Sequence, residues 1–166
     1  MTQTFRLAQA VDAPALAELL RQAYVSNTEL GIHFAAAHAD AQAAEKHISN
    51  NVCYFLEEGG RLLGTISLRM PWGPNPGPAG LPHIGWLAVS PTAGKKGIGS
   101  RLLDFIEQDI ARDQLKCPAL TLGTAVEHPW LPQFYEIRGY EKFAEADLGL
   151  GHITAYFKKT IIKSFK

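Results

Sequence analysis

A glycine-rich, basic segment lies at residues 94–100 and reads Gly94-Lys95-Lys96-Gly97-Ile98-Gly99-Ser100. Glycine lacks a Cβ atom, so the backbone of such a loop can turn tightly and approach a ligand closely. A helix that begins in the loop directs free backbone N–H groups and the positive end of its dipole at one point, which suits a phosphate. The segment therefore predicts an anion-binding loop, with a diphosphate as its ligand. A strand-to-helix turn that needs glycine for packing is the alternative.

Two regular elements must position this loop. The residues before it, 83–89, are short and apolar and lie between Pro82 and Pro91, which is typical of a buried strand. The residues after it are apolar at helical spacing, namely Leu102, Leu103, Ile106 and Ile110. The sequence thus predicts a strand, a loop and a helix in that order.

The spacing of the glycines shows which known phosphate-binding motif the segment can match. A Walker A loop requires G-x-x-x-x-G-K-[ST], and no Gly-Lys pair of this segment has that frame. A dinucleotide-binding loop requires G-x-G-x-x-G, and Leu102 stands where its third glycine belongs. The remaining pattern, x-x-G-x-G-S after L-A-V-S-P, resembles motif A of the GNAT superfamily of N-acetyltransferases. Gly97 and Gly99 match the family glycines, and Gly94 replaces the usual Arg or Gln.

A second segment carries the same resemblance. Residues 134–140 read F-Y-E-I-R-G-Y and are similar to the closing helix motif of that family, F/L-Y-E-K-x-G-F/Y. The resemblance implies a single α/β domain over residues 1–166 with the GNAT fold. That fold has a central mixed, mostly antiparallel sheet with helices on both faces, and a parallel strand pair that splays apart at the coenzyme A site.

The resemblance also implies acetyl-CoA as the cofactor. In the family, the glycine loop cradles the pyrophosphate, and the backbone of the preceding strand pairs with the pantetheine arm. His128 stands where many members have an asparagine that contacts the cofactor or a water. The implied cofactor-binding residues are Leu87, Ala88, Val89, Gly94, Lys95, Lys96, Gly97, Ile98, Gly99, Ser100 and His128.

Acyl transfer from a thioester to an amine needs a proton acceptor for the amine, donors for the oxyanion and an acid for the departing thiolate. Tyr135 matches the family tyrosine that protonates the thiolate, and a phenol is protonated at neutral pH. A tyrosine that only packs in its helix is the alternative. The backbone N–H of Val89 matches the family's oxyanion donor. His83 is the candidate general base, because histidine can take a proton at physiological pH, directly or through water. A strand-end histidine without a chemical role is its alternative.

The acceptor pocket is implied only by analogy. In the GNAT fold the region that corresponds to residues 26–38 lines this pocket. The segment mixes polar and aromatic residues, and its candidate substrate-binding residues are Glu29, His33 and Phe34. The first two are also weaker candidates for the base.

Composition narrows the function further. Sixteen acidic and sixteen basic residues give the 166-residue chain a formal net charge of zero, which argues against a nucleic-acid or anionic-membrane binder. The sequence contains no signal-peptide pattern and no apolar run near the ~20 residues that span a bilayer, so a cytoplasmic location is expected. Cys53 and Cys117 are far apart and predict neither a disulfide framework nor a metal site.

The remaining elements follow from local patterns. A helix is expected after Asp12, which is its predicted N-cap. Residues 71–82 are rich in glycine and proline, and are predicted to be a loop that folds over the pocket or an inert excursion. The other predicted elements are a strand at 5–8, a helix at 40–49, a hairpin at 52–57 and 61–70, a strand at 119–124 and a closing antiparallel pair at 140–144 and 153–158.

These observations predict an acetyl-CoA-dependent N-acyltransferase that moves an acetyl or short acyl group to a primary amine of a small molecule or peptide by direct transfer. A non-catalytic module that binds acyl-CoA is the alternative. A third hypothesis is an unrelated nucleotide-binding domain that shares only the glycine loop. Many members of the superfamily dimerise, so the resemblance is compatible with a homodimer.

Overall fold

The computed structural model of the protein describes residues 2–25, 39–93 and 97–163. Its strands in chain order are β1 (Gln3–Leu7), β2 (Val52–Glu58), β3 (Arg61–Arg69), β4 (His83–Val89), β5 (Ala119–Ala125), β6 (Glu141–Asp147) and β7 (Ile153–Thr160). Its longer helices are α1 (Ala13–Ala23), α2 (Ala41–Asn50), α3 (Ile98–Asp104, continued as a π-helix over Phe105–Leu115) and α4 (Leu131–Ile137). None of the helices in these ranges is long and apolar enough to cross a membrane.

The strands form one mixed sheet in the order β1-β2-β3-β4-β5-β7-β6. Within the described residues, β4 and β5 are the parallel neighbours, and the other neighbouring strands are antiparallel. The strand–helix–strand crossover through α3 explains the parallel pairing, since parallel strands need a long connection. The predicted α/β fold with a central, mostly antiparallel sheet is confirmed.

A β-bulge in the pairing of β3 with β4 bends β4 away from β5. The register pairs Ser67 with Gly85 and Thr65 with Ala88, so two residues of β4 lie opposite one residue of β3. One of these two, Trp86, has a left-handed backbone with φ 49°, which bends the strand. The ladder between β4 and β5 accordingly holds only two residue pairs, His83 with Thr121 and Ile84 with Leu122. Beyond these pairs the two strands diverge and leave a gap.

Helices cover both faces of the sheet, as predicted. On one face, α1 and α2 pack on β2 and on Ala88 of β4, in a core cluster that includes Leu16, Leu20 and Phe55. On the other face, α3 and α4 pack on the central strands in a larger cluster that includes Leu102, Ile106 and Tyr135. Each cluster follows from the apolar stripe of its helices.

Most predicted boundaries agree with the structure to within a few residues, and one predicted contact is wrong. Asp12 precedes α1, but its carboxylate does not cap that helix. It instead accepts hydrogen bonds from the backbone N–H of Gln9 and from the Arg6 guanidinium, at 2.8 Å each. An ion pair with a residue of β1 therefore replaces the expected cap.

Candidate active site

A cleft of about 760 Å³ opens where β4 and β5 diverge. Its walls come from β4, β5 and β7, from the N-terminus of α3 and from α4. The cleft brings together all ten of the predicted site residues that the structure describes, namely His83, Leu87, Ala88, Val89, Gly97, Ile98, Gly99, Ser100, His128 and Tyr135. The predicted residues Glu29, His33, Phe34, Gly94, Lys95 and Lys96 lie outside the described residues.

The N-terminus of α3 faces the cleft and has no side-chain bulk at two positions. Gly97 is the N-cap residue and has φ 68°, a left-handed conformation that glycine adopts without strain. A Cβ atom on Gly99 would stand 3.8 Å from the Val89 side chain, so this turn of the helix packs directly against β4. The first backbone N–H groups of α3 therefore form an open surface that suits an anion.

The backbone N–H of Val89 is directed into the gap. The neighbouring Ser90 donates its N–H to the carbonyl of Leu63 on β3, at 2.8 Å. Because successive residues of an antiparallel strand direct their N–H groups to opposite sides, the N–H of Val89 points away from β3. On that side β5 has already diverged, so the Val89 N–H is available to a ligand.

Tyr135 is buried in α4, where it lines the cleft and packs on aromatic rings. Its ring lies 5.4 Å from that of Phe134, 5.7 Å from that of Tyr140 and 6.3 Å from that of Phe157. Burial raises the pKa of the Tyr135 phenol, although the nearby Arg138 opposes this shift. The hydroxyl therefore remains protonated at neutral pH and can serve as a proton donor.

The helix that carries Tyr135 ends in a Schellman motif. The backbone N–H of Tyr140 donates to the carbonyl of Tyr135, and the N–H of Gly139 donates to the carbonyl of Glu136, at 3.0 Å each. Gly139 has φ 98°, the left-handed conformation that this motif requires. Gly139 is therefore the residue at which this helix ends.

His128 accepts hydrogen bonds from backbone N–H groups at the start of α4. Its Nδ1 atom accepts hydrogen bonds from the backbone N–H groups of Trp130 and Leu131, at 3.3 and 3.1 Å. Because Nδ1 is the acceptor, the proton of the neutral ring is on Nε2. Burial lowers the pKa of His128, which favours this neutral form. The ring thus fixes the start of α4 and also lines the cleft.

His83 is buried at the closed end of the cleft. Its Nδ1 atom is 2.8 Å from the hydroxyl oxygen of Thr121. Burial, assisted by the charge of Arg69, lowers the pKa of His83 to about 4, so the ring is neutral at neutral pH. The loop at 71–82 covers this residue, because a Cβ atom on Gly77 would lie 2.6 Å from the His83 Cβ.

Comparison with known proteins identifies the family. The model of the acetyltransferase (GNAT) family matches residues 14–140. The chain is 54% identical over 161 residues to S-(2-succino)cysteine N-acetyltransferase of Bacillus subtilis, covering 97% of this chain and 98% of that protein. It is 38% identical over 159 residues to S-alkylcysteine N-acetyltransferase of the same organism, covering 95% of this chain and 89% of that protein. This chain belongs to the GNAT acetyltransferase family.

Solved structures agree with this fold. An N-acetyltransferase of Thermoplasma acidophilum in complex with coenzyme A superposes on this GNAT chain with a TM-score of 0.72, at 17% identity and covering 96% of this chain and 99% of that chain. An acetyltransferase of Salmonella typhimurium with acetyl-CoA also gives a TM-score of 0.72, at 14% identity, covering 100% of this chain and 98% of the other. The predictions of a GNAT enzyme and of acetyl-CoA as its cofactor are confirmed. The two alternatives, a non-catalytic module and an unrelated nucleotide-binding domain, are set aside.

The cleft of this GNAT enzyme fits the shape and polarity of the cofactor. Beyond their two paired residues, β4 and β5 are separated by a gap that an extended chain could occupy. The Val89 N–H faces into this gap. Thr124 of β5 lines the same gap, and its buried hydroxyl oxygen has no hydrogen-bond partner in the described part of the chain. The pantetheine arm carries amide groups that can pair with both. The glycines at the start of α3 leave room for the pyrophosphate.

Several residues of the GNAT cleft were not among the sequence-based predictions. The Tyr24 hydroxyl donates a 2.5 Å hydrogen bond to the carbonyl of Leu87, which ties the end of α1 to the bulge. Arg69 of β3 and Tyr156 of β7 line the cleft close to His83. The neighbours of Arg69 in the cleft depend on how the strands pair, which the local sequence of β3 does not show.

Proposed function

We propose that the protein transfers the acetyl group of acetyl-CoA to the α-amino group of an S-substituted cysteine. The observation that carries this proposal is the 54% identity, over 97% of the chain, to a protein named S-(2-succino)cysteine N-acetyltransferase. The second relative, named for S-alkylcysteine, supports the same class of acceptor, an amino acid with a thioether side chain. A small-molecule acceptor is therefore proposed in preference to a peptide.

Bound acetyl-CoA supplies the thioester whose acetyl group is transferred. The Val89 N–H, directed into the gap, would donate a hydrogen bond to the carbonyl oxygen as it gains negative charge, which lowers the barrier most when the donor is already in place. Tyr135 would give its phenolic proton to the departing thiolate. The orientation of the Val89 N–H and the burial of a protonated Tyr135 in the cleft wall support these two roles.

The proposed role of His83 is to receive the amine proton through water. His83 is six residues before Val89 on β4, at most ~20 Å along an extended strand, and a water can carry the amine proton over part of this distance. Its low pKa gives a neutral ring that can accept a proton but holds it weakly. The pH dependence of His83→Ala tests this role. If the acidic limb of kcat/KM does not move, His83 is not the base.

The proposed function is tested with purified protein, acetyl-CoA and a panel of amines. The panel contains S-(2-succino)cysteine, S-ethylcysteine, unmodified cysteine, a polyamine, an aminoglycoside and a short peptide. Because cysteine and the released coenzyme A both carry a thiol, product is measured as the N-acetyl compound by mass spectrometry. We expect the two thioether amino acids to have the highest kcat/KM. Turnover restricted to the polyamine, the aminoglycoside or the peptide would contradict the proposal.

A further inference from the structure

A row of polar side chains crosses the sheet at the closed end of the cleft. Arg69 of β3 is the register partner of His83 of β4, and His83 is the register partner of Thr121 of β5. Residues that are directly opposite on paired strands have their side chains on the same face. The ring of Tyr156, on β7, lies 6.2 Å from that of His83. Arg69, His83 and Tyr156 all line the cleft, so this row forms its end wall.

Arg69 carries the positive charge of this wall, and the described part of the chain pairs no anion with it. Its Nε atom is buried and has no hydrogen-bond partner in the described residues, and none of the ion pairs found there includes it. Burial lowers the pKa of Arg69, and its charge contributes to the lowered pKa of both His47 and His83. By contrast, the half-buried Arg138 is paired with Asp104 and Glu107.

An unbalanced guanidinium in a half-buried site is costly unless an anion joins it. The planar guanidinium matches a carboxylate through two parallel hydrogen bonds, so a carboxylate is the anion that best fits a single arginine. The cleft is where such a ligand would enter, because Arg69 lines it and the loop around Gly77 closes its far end. The missing partner of Arg69 is therefore expected on the acceptor.

We propose that Arg69 binds a carboxylate on the sulfur substituent of the acceptor and so selects acidic S-substituted cysteines over simple S-alkyl ones. This inference rests on the proposed function. The register places Arg69 beside His83, at most ~20 Å of strand from the Val89 N–H at which acetyl transfer is proposed. An extended arginine and an extended thioether substituent together can cover such a span. The α-carboxylate is only two bonds from the amine, so a carboxylate on the sulfur substituent reaches further towards Arg69.

The test compares S-(2-succino)cysteine with S-ethylcysteine, which lacks carboxylates on its substituent. For the unmodified protein, Arg69→Gln and Arg69→Lys, kcat/KM is measured for both acceptors. We expect Arg69→Gln to lower the ratio of the two kcat/KM values by about 30-fold, mainly through KM, as for a lost charged hydrogen bond. Arg69→Lys keeps the charge but not the paired geometry and is expected to be intermediate. Arg112→Gln removes an exposed arginine outside the cleft lining and is the matched control, for which the ratio stays constant.

A second readout needs no acetyl transfer. Succinate alone is added to the unmodified protein and to Arg69→Gln, and the melting temperature is recorded. We expect succinate to raise the melting temperature of the unmodified protein and to leave that of Arg69→Gln unchanged. Equal responses of the two proteins would overturn the inference.

The outcomes separate this inference from the proposed function. If the unmodified protein acetylates neither thioether amino acid, the proposed function is wrong, and the succinate measurement still decides whether Arg69 binds a carboxylate. If both acceptors are acetylated and Arg69→Gln lowers both kcat/KM values equally, the proposed function stands. Arg69 then does not distinguish an acidic sulfur substituent from a simple alkyl one, and the inference is wrong.

Discussion

The buried carboxylate of Glu107 accepts a 2.8 Å hydrogen bond from the hydroxyl of Tyr140. The same carboxylate accepts a 2.7 Å contact from the Lys159 ammonium and two 3.3 Å contacts from the Arg138 guanidinium. Glu107 belongs to the π-helical part of α3, whereas its partners belong to β7 and to the end of α4. This cluster therefore holds the helix that carries Tyr135 against the rest of the core.

Replacement of Glu107 by alanine is expected to destabilise the protein by about 3–5 kcal/mol, because it leaves the partly buried Lys159 and the buried Tyr140 hydroxyl without their acceptor and removes one of the two carboxylates paired with Arg138. Urea denaturation gives the free energy of unfolding. Glu145→Ala is the matched control, since it removes an exposed carboxylate paired with Lys142, and it should cost at most ~1 kcal/mol. Similar losses in the two variants would show that the buried cluster is not a stabilising element.

Tyr135→Phe is expected to lower kcat by about 100-fold or more, as for the loss of a general acid, with acetyl-CoA affinity nearly unchanged. Steady-state kinetics and calorimetric titration measure the two quantities. Tyr140→Phe is the matched control, because it removes the hydroxyl of a neighbouring buried tyrosine that is bonded to Glu107. That variant should lose stability and retain kcat. An unaltered kcat in Tyr135→Phe would exclude the acid role.

Gly99→Glu is expected to abolish coenzyme A binding, because it introduces both bulk and negative charge at the helix start that is predicted to bind the pyrophosphate. Gly99→Ala is the control for bulk alone. Its Cβ would make an ordinary 3.8 Å contact with Val89, so binding should weaken only slightly. Isothermal titration with coenzyme A measures both affinities. Retained affinity in the glutamate variant would contradict the assignment of the loop.

Stability is expected to fall when the pH drops from about 6.5 towards 4. Burial, with a smaller effect of the Arg69 charge, lowers the pKa of His47 from 6.5 to about 4, and the same causes lower that of His83 to about 4. The unfolded chain therefore takes up protons first as the pH falls. Each imidazole contributes stability that is complete above pH 6.5 and decreases by up to ~1.4 kcal/mol per pH unit below it.

His47→Gln tests the contribution of one imidazole. His47 accepts a hydrogen bond from Asn51 at Nδ1, so its Nε2 carries the proton and donates to the Ser67 hydroxyl at 2.8 Å. Glutamine keeps an amide donor but does not titrate. Urea denaturation at several pH values should therefore give a shallower dependence on pH between 4 and 6.5 for this variant. An unchanged slope would mean that His47 does not titrate differently on unfolding.

The sequence predicted those parts of the fold that depend on local patterns. The strand before the glycine loop is a continuous apolar run, and the structure has it as β4 with the predicted bounds. The hairpin of β2 and β3 follows from an alternating pattern and two glycines. Gly139 ends α4 because only a left-handed residue fits there. In each case the residues that determine the element lie within a few positions of it.

Features that depend on contacts distant in sequence were not predicted. The left-handed backbone of Trp86 accompanies the stacking of its ring on His47, with centroids 3.7 Å apart, and no pattern in β4 reports this contact. The environment of Arg69 likewise depends on the order in which β3, β4, β5 and β7 pair. Asp12 has the right position for a helix cap, but its carboxylate is hydrogen-bonded to Arg6 of β1 and to the N–H of Gln9 instead.

The short pairing between β4 and β5 divides the sheet into two leaves, β1–β4 and β5–β7. Two residue pairs join the leaves, whereas seven pairs join β5 to β7 within one leaf. A ligand that lies in the gap contacts both leaves and so links them where the strands themselves are not paired. If acetyl-CoA binds in this gap as proposed, it acts as a structural crosslink as well as a reactant, and the amides along the gap should exchange with solvent deuterium most slowly while it is bound.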